Sequence, residues 1–440
     1  MPRHQRRTSI LMAFAVVLFG FGLGFGAGPV QARLNIEVTG GVEAAQPIAV
    51  VPFGVSDGLI PPVDIAAVIS ADLARTGRFR AMPTRDMLDM PARHEDVDLR
   101  DWTLLGMNNL VIGRVEPDGS GYRVSFILYD AFRGDQLANS TLISTKAGMR
   151  NTAHRISDII YQKLTGQRGV AATRIAYVTA TGQGEGQTVT LRVADADGYN
   201  PQTIVSSGEP IMSPAWSPDG RRVAYVSFEN KRAAIYVQEL ASGRRELVAS
   251  HPGINGSPAF SPDGRKLAMT LSKDGNPDIY VLDLTSRELV RLTDHFAIDT
   301  EPSWSPDGQQ IIFTSDRGGS PQIYRIGSGG GPAQRISSEG DYNARASYSP
   351  DGRSIVLVTR VSGRFRIGVL DLDRGFTRVL SNGSLDESPS FAPNGSMVIY
   401  ATIHGGRGVL AAASIDGGGN QRLSQDSGEV REPAWSPFIK

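Results

Sequence analysis

From Ile175 onward the apolar residues come in short runs separated by Gly, Ser, Asp and Asn. One set reads Val223-Ala224-Tyr225-Val226, Leu267-Ala268-Met269, Ile311-Ile312-Phe313, Ile355-Val356-Leu357-Val358 and Val398-Ile399-Tyr400. A second set follows each of these: Ile235-Tyr236-Val237, Ile279-Tyr280-Val281, Ile323-Tyr324, Ile367-Gly368-Val369 and Val409-Leu410. A third, shorter set ends each unit at Leu247-Val248, Leu289-Val290, Arg335-Ile336, Val379-Leu380 and Arg422-Leu423. Short β-branched and aromatic runs bounded by turn residues predict strands joined by tight turns. The residues before Ile175 are patterned differently. Pro47 to Phe53 reads as a buried strand, while Ile65, Val68, Ile69 and Leu73 have helical spacing with Gly77 as a stop. Leu110–Gly113 and Tyr122–Tyr129 read as two strands around a turn from Pro117 to Gly121, and Ile156, Ile159, Ile160 and Leu164 mark a closing helix ended by Gly166. Strands and helices mixed in this way predict a small α/β domain over residues 33–168, linked through Gln167–Val170 to an all-β domain over residues 169–440.

A five-residue phrase punctuates the all-β part. It reads Trp216-Ser217-Pro218-Asp219-Gly220, Phe260-Ser261-Pro262-Asp263-Gly264, Trp304-Ser305-Pro306-Asp307-Gly308 and Tyr348-Ser349-Pro350-Asp351-Gly352. A degenerate copy, Phe391-Ala392-Pro393-Asn394-Gly395, and a truncated one, Trp435-Ser436-Pro437, follow. The aromatics lie 44, 44, 44, 43 and 44 positions apart, the length of one four-stranded propeller blade. Ser-Pro-Asp-Gly suits a hairpin corner. Pro presets φ at the second position, Gly sits at the fourth, and the Asp carboxylate can take nearby N–H groups. The aromatic ahead of it closes a strand and is placed to pack between blades.

The two ends of this region differ, and the difference sets the blade count. Ile175–Val178, Val189–Val193 and Thr203–Val205 predict three strands with no corner ahead of them, whereas Pro433-Ala434-Trp435-Ser436-Pro437 is a corner with no strands after it. Joined, they complete a sixth blade and leave no long exposed sheet edge. The expected architecture is an α/β N-terminal domain plus a six-bladed β-propeller closed by its C-terminal strand.

Composition narrows the function classes. The chain has 440 residues, 40% hydrophobic and 20% charged, with fifty glycines, as a turn-dense folded β protein should. Arg3, Arg6 and Arg7, an uncharged apolar stretch from Ile10 to Phe25, and Val30-Gln31-Ala32 together read as a secretory signal over residues 1–32. A retained membrane anchor fits less well, because the stretch is short and Gly-rich. Without those residues the chain carries 42 basic against 45 acidic groups, which gives no electrostatic case for nucleic acid. With no cysteine there is no disulfide, no lipidated N-terminal Cys and no thiol chemistry. The expected location is the periplasm.

The whole exported chain resembles the TolB family, the soluble periplasmic components of the Tol-Pal cell-envelope system. The resemblance rests on the order of signal, α/β domain and propeller, and on Ile36-Glu37-Val38-Thr39-Gly40-Gly41-Val42 leading to Pro47–Phe53. It rests further on Asn255–Gly264, Thr300-Glu301-Pro302-Ser303-Trp304 and the terminal Pro433–Pro437. The corner phrase alone is less specific, since it also occurs in propellers of prolyl oligopeptidases. The resemblance implies a non-catalytic binding protein. One propeller face near the channel mouth would hold the outer-membrane lipoprotein Pal, making the protein peripheral to that membrane. The N-terminal segment would hold the C-terminal domain of the inner-membrane protein TolA. Other envelope proteins are further candidate partners, and the chain is expected to act as a monomer. The implied role is to maintain outer-membrane integrity and to help draw that membrane inward at division. Family positions tied to Pal fall on Ile254, Ser257 and Thr300, where the first departs from the family's His and the second from its Ala.

The residues themselves point to the same face. Polar groups precede each inner strand at Asn255, Thr300-Glu301, Asn343, Asp386-Glu387 and Arg431-Glu432, and the repeat brings these loops to one end of the ring. Such a rim could hold a polypeptide, or a channel cation such as calcium, although no repeat has an EF-hand spacing. No resident cofactor or metal is expected. Arg33, Leu34, Asn35, Ile36, Glu37 and Val38 alternate polar and apolar, a one-sided strand that can add to a partner's sheet edge or lie back on its own protein.

Two other classes fit the sequence less well. A propeller-type hydrolase needs a Gly-x-Ser-x-Gly elbow with Asp and His partners in a hydrolase domain, and the N-terminal domain is short for an α/β-hydrolase. His94, His154, His251, His295 and His404 show no metal-ligand spacing, and Gly327–Gly331 lacks the Lys of a phosphate loop. His251 and His295 recur 44 apart and are expected to serve loop structure. A sugar-binding propeller would line a rim pocket with aromatics, but the recurrent aromatics here sit beside the corner, where packing between blades accounts for them.

Overall fold

Six four-stranded units form the ring in the computed structural model, which describes residues 34–41, 45–56, 58–417, 419–424 and 428–439. The signal expected over residues 1–32 and Arg33 lie outside the described residues. Among the described residues no helix is long and apolar enough to cross a membrane.

Blade one is made from both ends of the repeat region. Arg174–Thr181, Thr188–Asp195 and Gln202–Ser207 form an antiparallel sheet, and Glu429–Trp435 pairs antiparallel with Arg174–Thr181 as its innermost strand. Closure is sealed at the end of that strand. The Arg174 N–H donates to Ser436 Oγ at 2.9 Å, and Trp435 Nε1 donates to Thr173 Oγ1 at 2.8 Å. Blades two to five begin at the inner strands Ile211–Trp216, Asn255–Phe260, Asp299–Trp304 and Asn343–Tyr348. Blade six runs Glu387–Phe391, Met397–His404, Arg407–Ser414 and Gly419–Ser424, and gains a fifth strand, Asn35–Gly41, antiparallel on Gly419–Ser424. Strands Arg222–Ser227, Lys266–Leu271 and Gln310–Ser315 are buried over nearly their whole length, which explains why they read as continuous apolar runs and not as alternation.

The corner phrase folds as its chemistry dictates. Ser261 Oγ donates to Asp263 Oδ1 at 2.5 Å, Asp263 Oδ1 accepts the Arg265 N–H at 3.0 Å, and the Gly264 N–H closes on Ser261 O at 2.8 Å. The Ser261 hydroxyl and the Arg265 N–H hold the Asp263 carboxyl below its usual range. Gly264, at φ +72°, also has Pro218 of the preceding corner only 3.2 Å from where a Cβ would stand. Gly308 meets Pro262 and Gly352 meets Pro306 in the same way. The phrase therefore joins blades as well as turning the chain. Its tryptophans do likewise: Trp216 Nε1 donates to Ala434 O at 3.0 Å, and Trp304 Nε1 to Ala259 O at 3.1 Å.

The N-terminal region has a mixed sheet in the order Phe79–Ala81, Gln46–Val50, Asn109–Asp118, Gly121–Asp130, Gln136–Ser144. Gln46–Val50 is parallel to both of its neighbours, and the last three strands are antiparallel. Helix α1 (Ile65–Arg75) starts at Asp64, whose Oδ1 accepts the Ala67 N–H at 3.0 Å, and buries Ile65, Val68, Ile69 and Leu73 on the sheet. Each such side chain contributes roughly 1.5–3 kcal/mol by leaving water. Helix α2 (Leu99–Leu104) helps cover the opposite sheet face through Trp102. Helix α3 (Met149–Thr165) packs beside α1 and ends at Gly166 in the left-handed conformation.

Several details differ from the sequence expectation. The hairpin turn is only Gly119-Ser120, because Pro117 stays in the ladder opposite Tyr122. Helix α3 begins at Met149, ahead of the Ile-rich stretch, because Met149 and Ala153 are buried too. The edge strand Gln136–Ser144, α2 and Phe79–Ala81 carry too little apolar periodicity to be read alone.

This region rests on the corner end of the ring. Asn394 Nδ2 donates to Arg168 O at 2.8 Å, and Arg78 pairs with Asp416 at 2.9 Å. Gln421 donates to Arg75 O, and Arg150 pairs with Asp197. The opposite end, where the inner strands begin, is not engaged by these contacts.

Candidate functional site

Each inner strand carries one residue in the left-handed region: Ser213 (φ 51°), Ser257 (47°), Glu301 (57°), Arg345 (52°), Ser388 (54°) and Glu432 (51°). None is glycine, and each costs about 1–2 kcal/mol. Six equivalent departures mark a property of the repeat. At each one the ladder skips, as between Gly256 and Ala259 opposite Thr270 and Ala268. A proline follows in five of the six blades, and Ala346 follows Arg345. The six side chains together line the central channel, a cavity of about 350 Å³.

Three of the six are charged and meet. Arg345 reaches Glu432 through two hydrogen bonds, Nη2 to Oε2 at 2.8 Å and Nη1 to Oε1 at 3.3 Å. Its Nη1 also donates to Ser388 Oγ at 2.8 Å, and its Nε lies 3.6 Å from Glu301 Oε1. Glu301 Oε2 accepts from the Arg345 backbone N–H at 2.9 Å and from Thr314 Oγ1 at 2.8 Å. Burial opposes the charged guanidinium, yet Glu432 and Glu301 outweigh this and hold Arg345 firmly protonated. Burial, reinforced by Glu432, raises the Glu387 carboxyl above its usual range, against Arg345 and Arg431. Glu301 and Glu432 are the acids best placed for a channel cation, and the guanidinium of Arg345 stands between them. Arg345 escapes a reading by residue type because it occupies a position that is Ser or Glu in the other blades. Aligning the repeats on their aromatics would have marked it.

The rim residues separate into two layers. Asn255, Asn343 and Asp386 are 1%, 1% and 0% exposed. Asn255 braces its loop through the His251 N–H and His251 O at 2.9 and 2.7 Å. Asn343 donates to Glu339 O at 2.7 Å and to Gln322 Oε1 at 2.9 Å. Asp386 accepts from Ser381 Oγ and Thr402 Oγ1, both at 2.5 Å, and from the Gly383 N–H at 3.1 Å. These three lie beneath the rim because the residue two places before the left-handed one faces its own blade. Ile254, Thr300, Glu387 and Arg431 are half-buried at the mouth. Ser257, Glu301 and Glu432 sit deeper, in the channel ring. His295 serves loop structure as expected, its Nδ1 accepting the Ala297 N–H at 3.0 Å; at His251 it is the backbone that is held, by Asn255.

The N-terminal segment lies back on the protein. Asn35 to Val38 pair with Ser424 to Gln421, and Leu34, 2% exposed, packs on the Gly198 turn of blade one.

A second cluster joins the two regions at the opposite end. His154 Nδ1 lies 2.7 Å from Asp72 Oδ2, and its Nε2 lies 3.7 Å from Asp197 Oδ2. Ser157 Oγ donates to the same Asp72 oxygen at 2.7 Å. Burial opposes charging of His154, but the bond to Asp72 and the charges of Asp72 and Asp197 outweigh it and raise the imidazole above its ordinary value. Nearby, burial pushes Asp158 up to about 6, although the Ala172 and Ala171 N–H groups partly offset this. Asp72, His154 and Asp197 could in principle hold a metal. Arg75 on Asp72 and Arg150 on Asp197 already supply the counter-charge, which favours an ionic joint. No spacing in the sequence reveals it, since its members lie on two helices and a propeller turn.

The same two regions are recognised by comparison with known proteins. Residues 161–439 match the TolB beta propeller domain and residues 34–137 the TolB amino-terminal domain. The chain belongs to the TolB family. A crystal structure of TolB from Acinetobacter baumannii is 43% identical, with a TM-score of 0.86 over 92% of this chain and 100% of that one. Curated relatives named Tol-Pal system protein TolB include one from Nitrosococcus oceani, 53% identical over 230 residues, covering 52% of this chain and 53% of the relative. Another, from Methylococcus capsulatus, is 52% identical over 231 residues, covering 52% and 54%. The chain thus spans about half the length of the curated relatives it matches.

Proposed function

We propose that this chain is a non-catalytic, periplasmic binding component of the Tol-Pal system. The open end of the ring takes the lipoprotein Pal, through Ile254, Thr300, Glu387 and Arg431 at the mouth and Ser257, Glu301 and Glu432 below them. Asn255, Asn343 and Asp386 hold the loops that present them. The segment from Arg33 to Val38 takes the C-terminal domain of TolA. Bridging the two would maintain outer-membrane integrity and support inward movement of that membrane at division.

The observation that carries this reading is the attachment of the N-terminal strand. Asn35–Gly41 is an added edge strand on Gly419–Ser424, outside the four-stranded repeat that completes the blade. A strand held by one ladder can exchange onto another sheet edge with the same backbone chemistry. Two experiments test the proposal. Calorimetry of residues 33–440 against the soluble part of Pal should show binding that a Thr300→Ala, Glu301→Ala double substitution weakens. Deleting residues 33–38 should abolish TolA binding while leaving Pal binding in place; retained TolA binding would refute the assignment.

A further inference from the structure

The loop between blades three and four holds an aromatic side chain out of the protein. Phe296 is 87% exposed, although it lies in a segment whose neighbours are fixed almost atom by atom. Asn276 Nδ2 donates to His295 O at 2.8 Å and to Ala297 O at 2.5 Å. The Ala297 N–H is taken by His295 Nδ1, and the Ile298 N–H by Asp316 Oδ1 at 2.8 Å. On the other side the Leu292 N–H donates to Ile279 O at 2.8 Å, and Ile279 N–H in turn donates to Thr293 Oγ1 at 3.0 Å. The imidazole of His295 lies against the phenyl ring, with centroids 4.3 Å apart. The ring is therefore presented by a braced loop. Ordering a flexible aromatic is a cost of association that this loop has already met.

Its surroundings define what it can meet. Ile254, Ile298, Tyr342 and Leu385 occupy one equivalent position in four successive blades, three residues before the channel residues Ser257, Glu301, Arg345 and Ser388. They make an apolar arc on the end of the ring that bears Phe296. Three ion pairs stand beside it: Arg291 with Asp294 at 2.8 Å, Lys273 with Asp274 at 2.7 Å, and Arg360 with Asp341 at 2.5 Å. An apolar knob beside paired charges fits an apolar socket better than an oppositely charged surface.

We infer that Phe296 is the anchor of this binding face, and that its partner is a folded protein domain with an uncharged apolar socket that accepts the phenyl ring. This rests on the reading of the open end as the Pal face and adds which residue dominates it and by what chemistry. The test is calorimetry of residues 33–440 against the soluble part of Pal at about 50 and 500 mM NaCl, with Phe296→Ala, Phe296→Trp and the Thr300, Glu301 double variant. Phe296→Ala should weaken binding by about 10–100-fold without moving the melting temperature, because the ring has almost nothing to lose in the free protein. Phe296→Trp should retain most of the affinity, and salt should change the native affinity by less than about threefold. Unchanged affinity for Phe296→Ala, with native binding intact, overturns the inference and leaves the Pal reading standing. Absence of native binding overturns both. Sedimentation with anionic phospholipid vesicles is the remaining arm: association lost on Phe296→Ala, with Pal binding unchanged, would assign the side chain to a lipid surface and overturn the protein socket.

Discussion

Replacing Arg345 by Met removes the only cation among the six channel-ring positions and leaves Glu301 and Glu432 facing one another. The side chains are 18%, 18% and 13% exposed, so solvent screens them only in part. Removing one partner from a fully buried pair costs about 3–5 kcal/mol. The channel admits water, so about 2–3 kcal/mol is the better expectation here. At the low edge of the usual conversion, about 2 °C per kcal/mol for a large domain, the melting temperature should fall by about 4–6 °C. The assay is calorimetric melting at pH 7, on Arg345→Met alone and with Glu432→Gln added. The second substitution removes the repulsion that the first creates, so it should recover at least half of the loss. A melting temperature within about 1 °C of native for Arg345→Met, or a further fall on adding Glu432→Gln, would refute the claim that the guanidinium balances the channel.

Two further outcomes follow from the joints of the fold. The His154 imidazole is raised above its ordinary value, so its contribution is full below about pH 6.5 and is lost as pH rises through the folded value. Melting of His154→Gln should therefore differ from native more at pH 6 than at pH 8.5, and a difference independent of pH would exclude protonation of this residue as a source of stability. Trp435→Ala removes the bond to Thr173 Oγ1 and the packing at the seam of blade one, and should cost about 3 kcal/mol. Its effect should exceed that of Phe391→Ala by chevron analysis of the unfolding rate, since only Trp435 joins the two ends of the ring.

The propeller was legible because its information is local and repeated. The corner phrase states its own hydrogen bonds, and the missing strand at one end matches the spare strand at the other. The N-terminal helices were legible from Ile65–Leu73 and Ile156–Leu164 for the same reason. Gln136–Ser144 and α2 were not, because most of their stability comes from the sheet and the neighbours they cover. At the rim, residue type suggested binding for Asn255, Asn343 and Asp386, whereas their places in the strands commit them to loop bracing. The ionic joint of Asp72, His154 and Asp197 depends on three segments that meet only in the folded state.

Sealing blade one with Glu429–Trp435 has a kinetic consequence. Arg174 and Ser436 exchange hydrogen bonds across a separation of 262 residues. Local hairpins can form as soon as their residues are available, but the ring cannot shut until the last of these segments has been made. Contacts of such separation are intrinsically slow to form. Until then, Arg174–Thr181 shows one unpaired edge to whatever strand is nearby. Molecules caught in that interval are the ones most exposed to misassembly and degradation, so changes at the seam should lower yield in the cell more than their effect on the finished protein's stability would suggest.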